Sequence, residues 1–319
     1  MNALNAFRHG VREAAGRGRL AALLYSAHLV LALPAAFVFQ AALGREFGGS
    51  LAPERLLSGF DFTVWMDFMG NHGDVLRTLM QMAAGTGLLA LVLGPFLAGG
   101  TMAMLGPGAA SFSAASFFRH CGAFYFRFLR LTLIFGSLVL LVLAACSVVL
   151  GEILSSLGDA ALSELPLIIT GAVGIALILV LTVLILLAGE YAKIAVFRQN
   201  SRIMVRAALS GFRFFLRNFP SVAGLQILTL FALALLALLY LGLDRLLGGE
   251  TLPGILLLVL TQQAVLYGRV LIRVTGLSAQ MAIFEDRRRQ PLILYGWDDS
   301  RTPSYHAGAR SAGSAEALP

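Results

Sequence analysis

In a chain this apolar, few residues are able to do chemistry, and their depth decides what they can do. Asp67, His72 and Asp74 fall in the longest polar stretch between apolar runs, which reads FDFTVWMDFMGNHGD over positions 60–74. Two carboxylates and an imidazole form a donor set for a divalent cation. Spacings of five and two residues match no metal motif, however, so the expected state of all three is solvated, with no metal held. A second group lies at membrane depth. Glu190 ends one apolar run, and Arg269 and Arg273 stand near the end of another. Four residues apart, the two arginines share one helix face, and Gln262 and Gln280 extend that stripe at seven-residue steps. An ionisable side chain inside a bilayer is costly, so it pairs or lines a pathway. The expectation here is an ion pair between Glu190 and Arg269 or Arg273 that fixes helix packing. His28, Gln40, Gln81, Gln226 and Gln263 are scattered singly and read as interhelical hydrogen bonds. Cys121 and Cys146 fall at different depths, so neither a disulfide nor a metal site is expected of them. No nucleotide-binding glycine motif, HExxH or GxSxG occurs. The chain therefore reads as a non-enzyme with no cofactor.

The elements that must position these side chains are membrane helices. Of 319 residues, 58% are hydrophobic and 13% charged, against about 45–50% and about 25% in soluble domains. Six windows are long and apolar enough to cross about 30 Å of hydrocarbon: residues 20–43, 83–104, 129–149, 165–189, 222–243 and 255–274. Pro34 and Pro95 lie inside the first two. The first window exceeds the core of a signal peptide and reads as an uncleaved span. With the N-terminus inside, this threading puts 20 of the 24 Lys and Arg residues on the cytoplasmic side. That bias sets both termini in the cytoplasm of an inner-membrane protein. It also accounts for the net charge of +7 without nucleic acid, because the basic residues are dispersed along membrane boundaries.

Aromatic and basic residues recur before the odd-numbered spans. Asn5-Ala6-Phe7-Arg8-His9-Gly10 precedes the first, Ser116-Phe117-Phe118-Arg119-His120-Cys121-Gly122 the third, and Ser210-Gly211-Phe212-Arg213 the fifth. Three helical hairpins follow, each introduced by an amphipathic helix expected to lie in the membrane plane. Phe rings would enter the acyl boundary while guanidinium groups meet the anionic inner leaflet. The candidate lipid contacts are Phe117, Phe118, Arg119, Phe124, Arg127 and Phe128, with Phe212 and Arg213. The plainer reading makes these segments topological anchors.

The fold class is thus all-α, a polytopic bundle of about six spanning helices with cytoplasmic interfacial helices. Residues 1–289 form the membrane domain, and the Gly-, Ser- and Ala-rich stretch 290–319 reads as a disordered cytoplasmic tail. On its FRHG-type segments and the 60–74 loop, the chain resembles uncharacterised bacterial six-helix inner-membrane proteins. It is also similar to the membrane-embedded domain of some glycerophosphodiester phosphodiesterases, although these 319 residues contain no counterpart of their soluble catalytic domain. The resemblance implies the fold and location, and neither an activity nor a site residue. The expected role is a non-enzymatic component that interacts with membrane lipid or a protein partner. The alternative is a transport subunit, such as a permease that works with a separate ATPase.

Overall fold

The computed structural model describes residues 1–47, 62, 66, 73–106, 112–160, 165–200, 204–247 and 252–294. Among them lie eight helices and no strand: α1 (Ala3–Ala15), α2 (Gly18–Phe47), α3 (Gly73–Leu105), α4 (Ala114–Ala160), α5 (Leu165–Gln199), α6 (Met204–Arg217), α7 (Phe219–Leu247) and α8 (Leu252–Leu294). Six of them, α2, α3, α4, α5, α7 and α8, are long and apolar enough to span a membrane. They contain the six windows expected from hydropathy. Several run further, because a helix does not stop where its apolar character does. Thus α5 continues past Gly189 to Gln199, and α8 continues to Leu294, so residues 290–294 of the expected tail are helical. Residues 295–319, together with Asp67 and His72 of the outer loop, lie outside the described residues.

One expectation is overturned in α4. The segment carrying Phe117 and Phe118 is not a separate helix in the membrane plane, because it runs without a break into the span as one 47-residue helix, about 70 Å long. The reason is local. Between α1 and α2 stand Gly16 and Arg17, Gly18 opens α2, and Leu20 and Ala21 donate backbone N–H groups to the Arg17 carbonyl to begin the new helix. Between α6 and α7, the Asn218 side chain donates to the Phe214 carbonyl at 3.0 Å. Its own carbonyl accepts from Ser221 and Val222, and Pro220 sits in the first turn, where its missing N–H costs nothing. No such stop interrupts residues 114–131.

The spans form three hairpins, α2–α3, α4–α5 and α7–α8, and the second helices α3, α5 and α8 touch one another in all three pairs. The introductory helices close the arrangement cyclically. The first part of α4 packs on α3, α6 packs on α5, and α1 packs on α8 and α7. Each therefore docks on the hairpin before its own, with α1 reaching back to the last.

The docking sites share a register. Gly100-Thr101-Met102-Ala103-Met104-Leu105, Ala192-Lys193-Ile194-Ala195-Val196-Phe197 and Ala279-Gln280-Met281-Ala282-Ile283-Phe284 occupy matching places near the ends of α3, α5 and α8. Their first residues receive the introductory helices. A Cβ on Gly211 would stand 2.5 Å from the Ala192 backbone, one on Gly10 would press on the Thr275 carbonyl oxygen and stand 3.2 Å from the Ala279 Cβ, and one on Gly100 would meet Cys121 Sγ at 2.6 Å. Small residues let helix backbones approach closely in lipid, where apolar side chains gain little by leaving hydrocarbon. In each introductory helix the residue before the shared Phe and the third residue after it are buried: Ala6 and Gly10, Phe117 and Cys121, Gly211 and Phe215. Arg8, Arg119 and Arg213 face outward. The buried core gathers at this same end, around Leu20, Met102, Phe128, Tyr191, Ile194 and Met281. Leucines further along, such as Leu140, Leu179 and Leu238, are exposed.

This geometry separates two glycines. Gly211→Ala is expected to lower bundle stability by about 1–3 kcal/mol, because the Ala192 backbone cannot yield to a new methyl. Gly122→Ala, where a Cβ meets nothing within 4 Å, should be neutral or stabilising by up to about 1 kcal/mol through helix propensity. Thermal unfolding in mild detergent measures both, and equal effects would contradict the docking contact.

Candidate functional site

Between the helices, at the end where the introductory helices dock, lies a cavity of about 500 Å³. Its position follows from the repeat. Each second helix turns the same register position inward, Thr101 from α3, Lys193 from α5 and Gln280 from α8, and three residues earlier Ala98, Glu190 and Leu277. Positions three apart lie on one helix face, so each hairpin contributes one short wall. The first helices add His28 from α2, Thr132 from α4, and Gln226 and Thr229 from α7. Leu24, Leu31, Leu97, Met102 and Val274 supply apolar walls, and Arg273 enters from α8.

The polar side chains fall into two sets. In the first, bonding is complete or local. Lys193 Nζ donates to Glu190 Oε1 at 2.9 Å. Thr101 and Thr229 donate to the carbonyls of Leu97 and Leu225 within their own helices, at 2.8 and 2.9 Å. Arg273 Nη1 lies 3.2 Å from His28 Nε2, and His28 Nδ1 lies 2.6 Å from the Leu24 carbonyl. The carbonyl can only accept and the guanidinium can only donate, so the hydrogen bonds assign the tautomer. His28 carries its proton on Nδ1, accepts on Nε2 and is neutral. In the second set, bonding capacity is left over. Gln226 and Gln280 form no hydrogen bond among the described residues, Thr132 Oγ1 is buried without a partner, and Arg273 uses one nitrogen of its guanidinium.

Two corrections concern the expected charges. Glu190 forms its contact ion pair with Lys193 and none with Arg269, while Arg273 acts on it only electrostatically, without a hydrogen bond. The sequence reading ended the fourth span at Gly189 and so treated Lys193 as a boundary charge, yet α5 continues and places it one turn from the carboxylate. The i,i+3 spacing was the available signal. Arg269 and Arg273 are both exposed, and only Arg273 lines the cavity. The glutamine stripe divides in the same way. Gln262 donates to the Tyr240 hydroxyl at 3.2 Å, while Gln280 faces the cavity. Gln263 accepts from the Tyr25 hydroxyl at 2.5 Å, joining α2 to α8.

The expected lipid-contact residues also divide. Phe117 and Phe128 are fully buried in the bundle, and so cannot meet the bilayer. Phe124 is half-buried, 5.7 Å from the Phe128 ring and 5.1 Å from the Phe197 ring. The helical period turns these three positions toward α3 and α5. Phe118 and Phe212 are 48% and 43% exposed, and Arg119 and Arg213 are exposed with them. Arg127 donates to Asn200 Oδ1 at 2.6 Å. One further ion pair, missed in the sequence, joins Arg198 on α5 to Glu285 on α8. These residues follow Phe197 and Phe284 at matching register positions, so the pair ties two second helices together just beyond the cavity.

The arrangement is suited to binding. It offers cationic and hydrogen-bond donors beside apolar walls, and the cavity lining contains one carboxylate, already paired. Removing Lys193 should leave Glu190 without its donor at membrane depth, which costs about 1–3 kcal/mol or more for a charged acceptor. Lys193→Gln should therefore destabilise the protein more than the double variant Glu190→Gln/Lys193→Gln does. Unfolding in detergent measures the difference, and a double variant at least as unstable as the single one would contradict the pairing.

No protein-family model matches the chain, and neither a curated protein nor a solved structure matches it.

Proposed function

We propose that this integral membrane protein is a non-enzymatic component that takes a membrane-derived amphiphile into the cavity between its three hairpins. One observation carries the reading: Gln226 and Gln280, which form no hydrogen bond among the described residues, and the buried unpartnered Thr132 hydroxyl share a cavity with apolar walls, a combination suited to a ligand with a polar head and an apolar body. The rim agrees. Leu91 and Leu93 line the cavity and are 39% and 36% exposed, within a segment apolar enough to span the membrane. An opening bordered by such side chains admits a ligand from hydrocarbon more readily than from water.

The outward-facing Phe118, Arg119, Phe212 and Arg213 support a second contact with lipid, at the headgroups of an anionic leaflet. The distribution of basic residues supports the cytoplasmic side of an inner membrane for that leaflet and for both termini. A transport role shares the same cavity, and Pro95 in its wall favours it, because a proline weakens the helix ladder where α3 would have to bend.

Native mass spectrometry of the full chain, extracted gently from its membrane, tests the reading. One lipid-sized ligand per protomer should persist after detergent exchange, and a ligand-free protomer would contradict it. Reporter fusions after Gly158 and at Pro319 test the orientation. The first should report the outside and the second the cytoplasm, and either reversed result would overturn the threading.

A further inference from the structure

Given that reading, we infer that the cavity's ligand presents an anionic phosphate or carboxylate group, held by Arg273 and Lys193 with Gln226, Gln280 and Thr132 as additional hydrogen-bond donors. Charge bookkeeping points this way. The lining contains two cations, Lys193 and Arg273, and one anion, Glu190. Lys193 and Glu190 satisfy each other at 2.9 Å. Arg273 also acts on that carboxylate electrostatically, so two cations share one anion, and its hydrogen-bond partner is His28, which is neutral because its Nε2 accepts from the guanidinium. A guanidinium at membrane depth needs a counter-charge, and the protein places none in hydrogen-bond contact with it.

Snorkelling to the membrane surface would be the other solution. Arg273 is itself exposed, yet its Nη1 reaches inward to His28 on α2 and it lines the cavity. Arg269, one turn away and equally exposed, differs in lying outside the lining. The guanidinium has five N–H donors in a planar fork suited to the oxygens of a carboxylate or phosphate, and one is engaged. With it in the lining stand the Lys193 ammonium from the second hairpin and, from its own hairpin, the carboxamides of Gln226 and Gln280, which form no hydrogen bond among the described residues. Each donates to an oxygen acceptor, and Lys193 stands as the screen between a bound anion and Glu190. The cavity of about 500 Å³ leaves room beyond the anionic group for an apolar body against Leu24, Leu31 and Leu97. A lipid headgroup and a free inorganic anion share the recognised chemistry and differ in that body.

The test uses the full chain in nanodiscs of equal parts phosphatidylglycerol and phosphatidylcholine, with retained lipid identified by native mass spectrometry after transfer to detergent. The wild-type protein should retain the anionic lipid over the zwitterionic one by about tenfold. Arg273→Gln should abolish that preference and Arg269→Gln, the same charge change outside the cavity, should leave it intact. Should Arg273→Gln fail to fold, Gln280→Leu, which removes a donor without removing charge, should reduce the preference by at least about threefold.

Lipid retained with no charge preference, or a preference lost equally in Arg269→Gln, would overturn the anionic assignment while leaving the amphiphile reading intact. Failure to retain any lipid, with inorganic phosphate instead raising the thermal midpoint of the wild type and not of Arg273→Gln, would support the anion and overturn the lipid source. Neither lipid retained nor phosphate protection would overturn both.

Discussion

Hydrocarbon cannot drive helices together as water does, so this bundle depends on close backbone approach at a few small residues. Those approaches occur within about one turn of a shared register position in each second helix. Gly211 meets Ala192, Gly10 meets Thr275 and Ala279, and Gly100 accommodates Cys121 and Phe117. The second helices touch pairwise, the introductory helices lock each hairpin to its neighbour, and α1 completes the cycle by docking on α8. The cavity is a by-product of this closure. Three helices held together at one turn present their next inward positions to a common space.

The polar residues in that space are where the three hairpins differ. Position by position the hairpins place Thr101, Lys193 and Gln280, then Ala98, Glu190 and Leu277. A purely structural role would favour small or apolar side chains at every one, as Ala98 and Leu277 do. The second hairpin instead installs an acid and a base together, and the third brings Arg273 against His28 of the first. Such groups at depth are expensive unless they pair or meet a ligand. Glu190 and Lys193 pair, whereas Gln226, Gln280 and Thr132 do not. The Arg198–Glu285 pair shows that the protein can supply a counter-charge across two second helices when stability is what is needed.

Legibility of the sequence followed length scale. Runs of about 20 apolar residues announce a span whatever surrounds them, so six helices were visible. The aromatic-basic segments before the odd spans were visible as well, and they mark the repeat. Its other half was not, because Gly100-Thr101-Met102, Ala192-Lys193-Ile194 and Ala279-Gln280-Met281 resemble one another only weakly within stretches that are apolar throughout. The continuity of α4 escaped because it depends on the absence of a stop such as Gly16, Gly18 or Pro220. The cavity was least legible of all. Its polar residues are single positions on six helices, and adjacency in space between His28 and Arg273, 245 residues apart, has no local signature. Helix period alone could have joined Glu190 to Lys193, and an early span boundary concealed it.

The most direct measurement of the central claim is an electron cryomicroscopy structure of the full chain in nanodiscs made from its native lipid. The account predicts ordered density filling the space between Arg273 and Lys193, with a compact head at the guanidinium and an extension leaving past Leu91 and Leu93. A collapsed or water-filled cavity, with the Arg273 side chain turned away from His28 to the membrane surface, would contradict it.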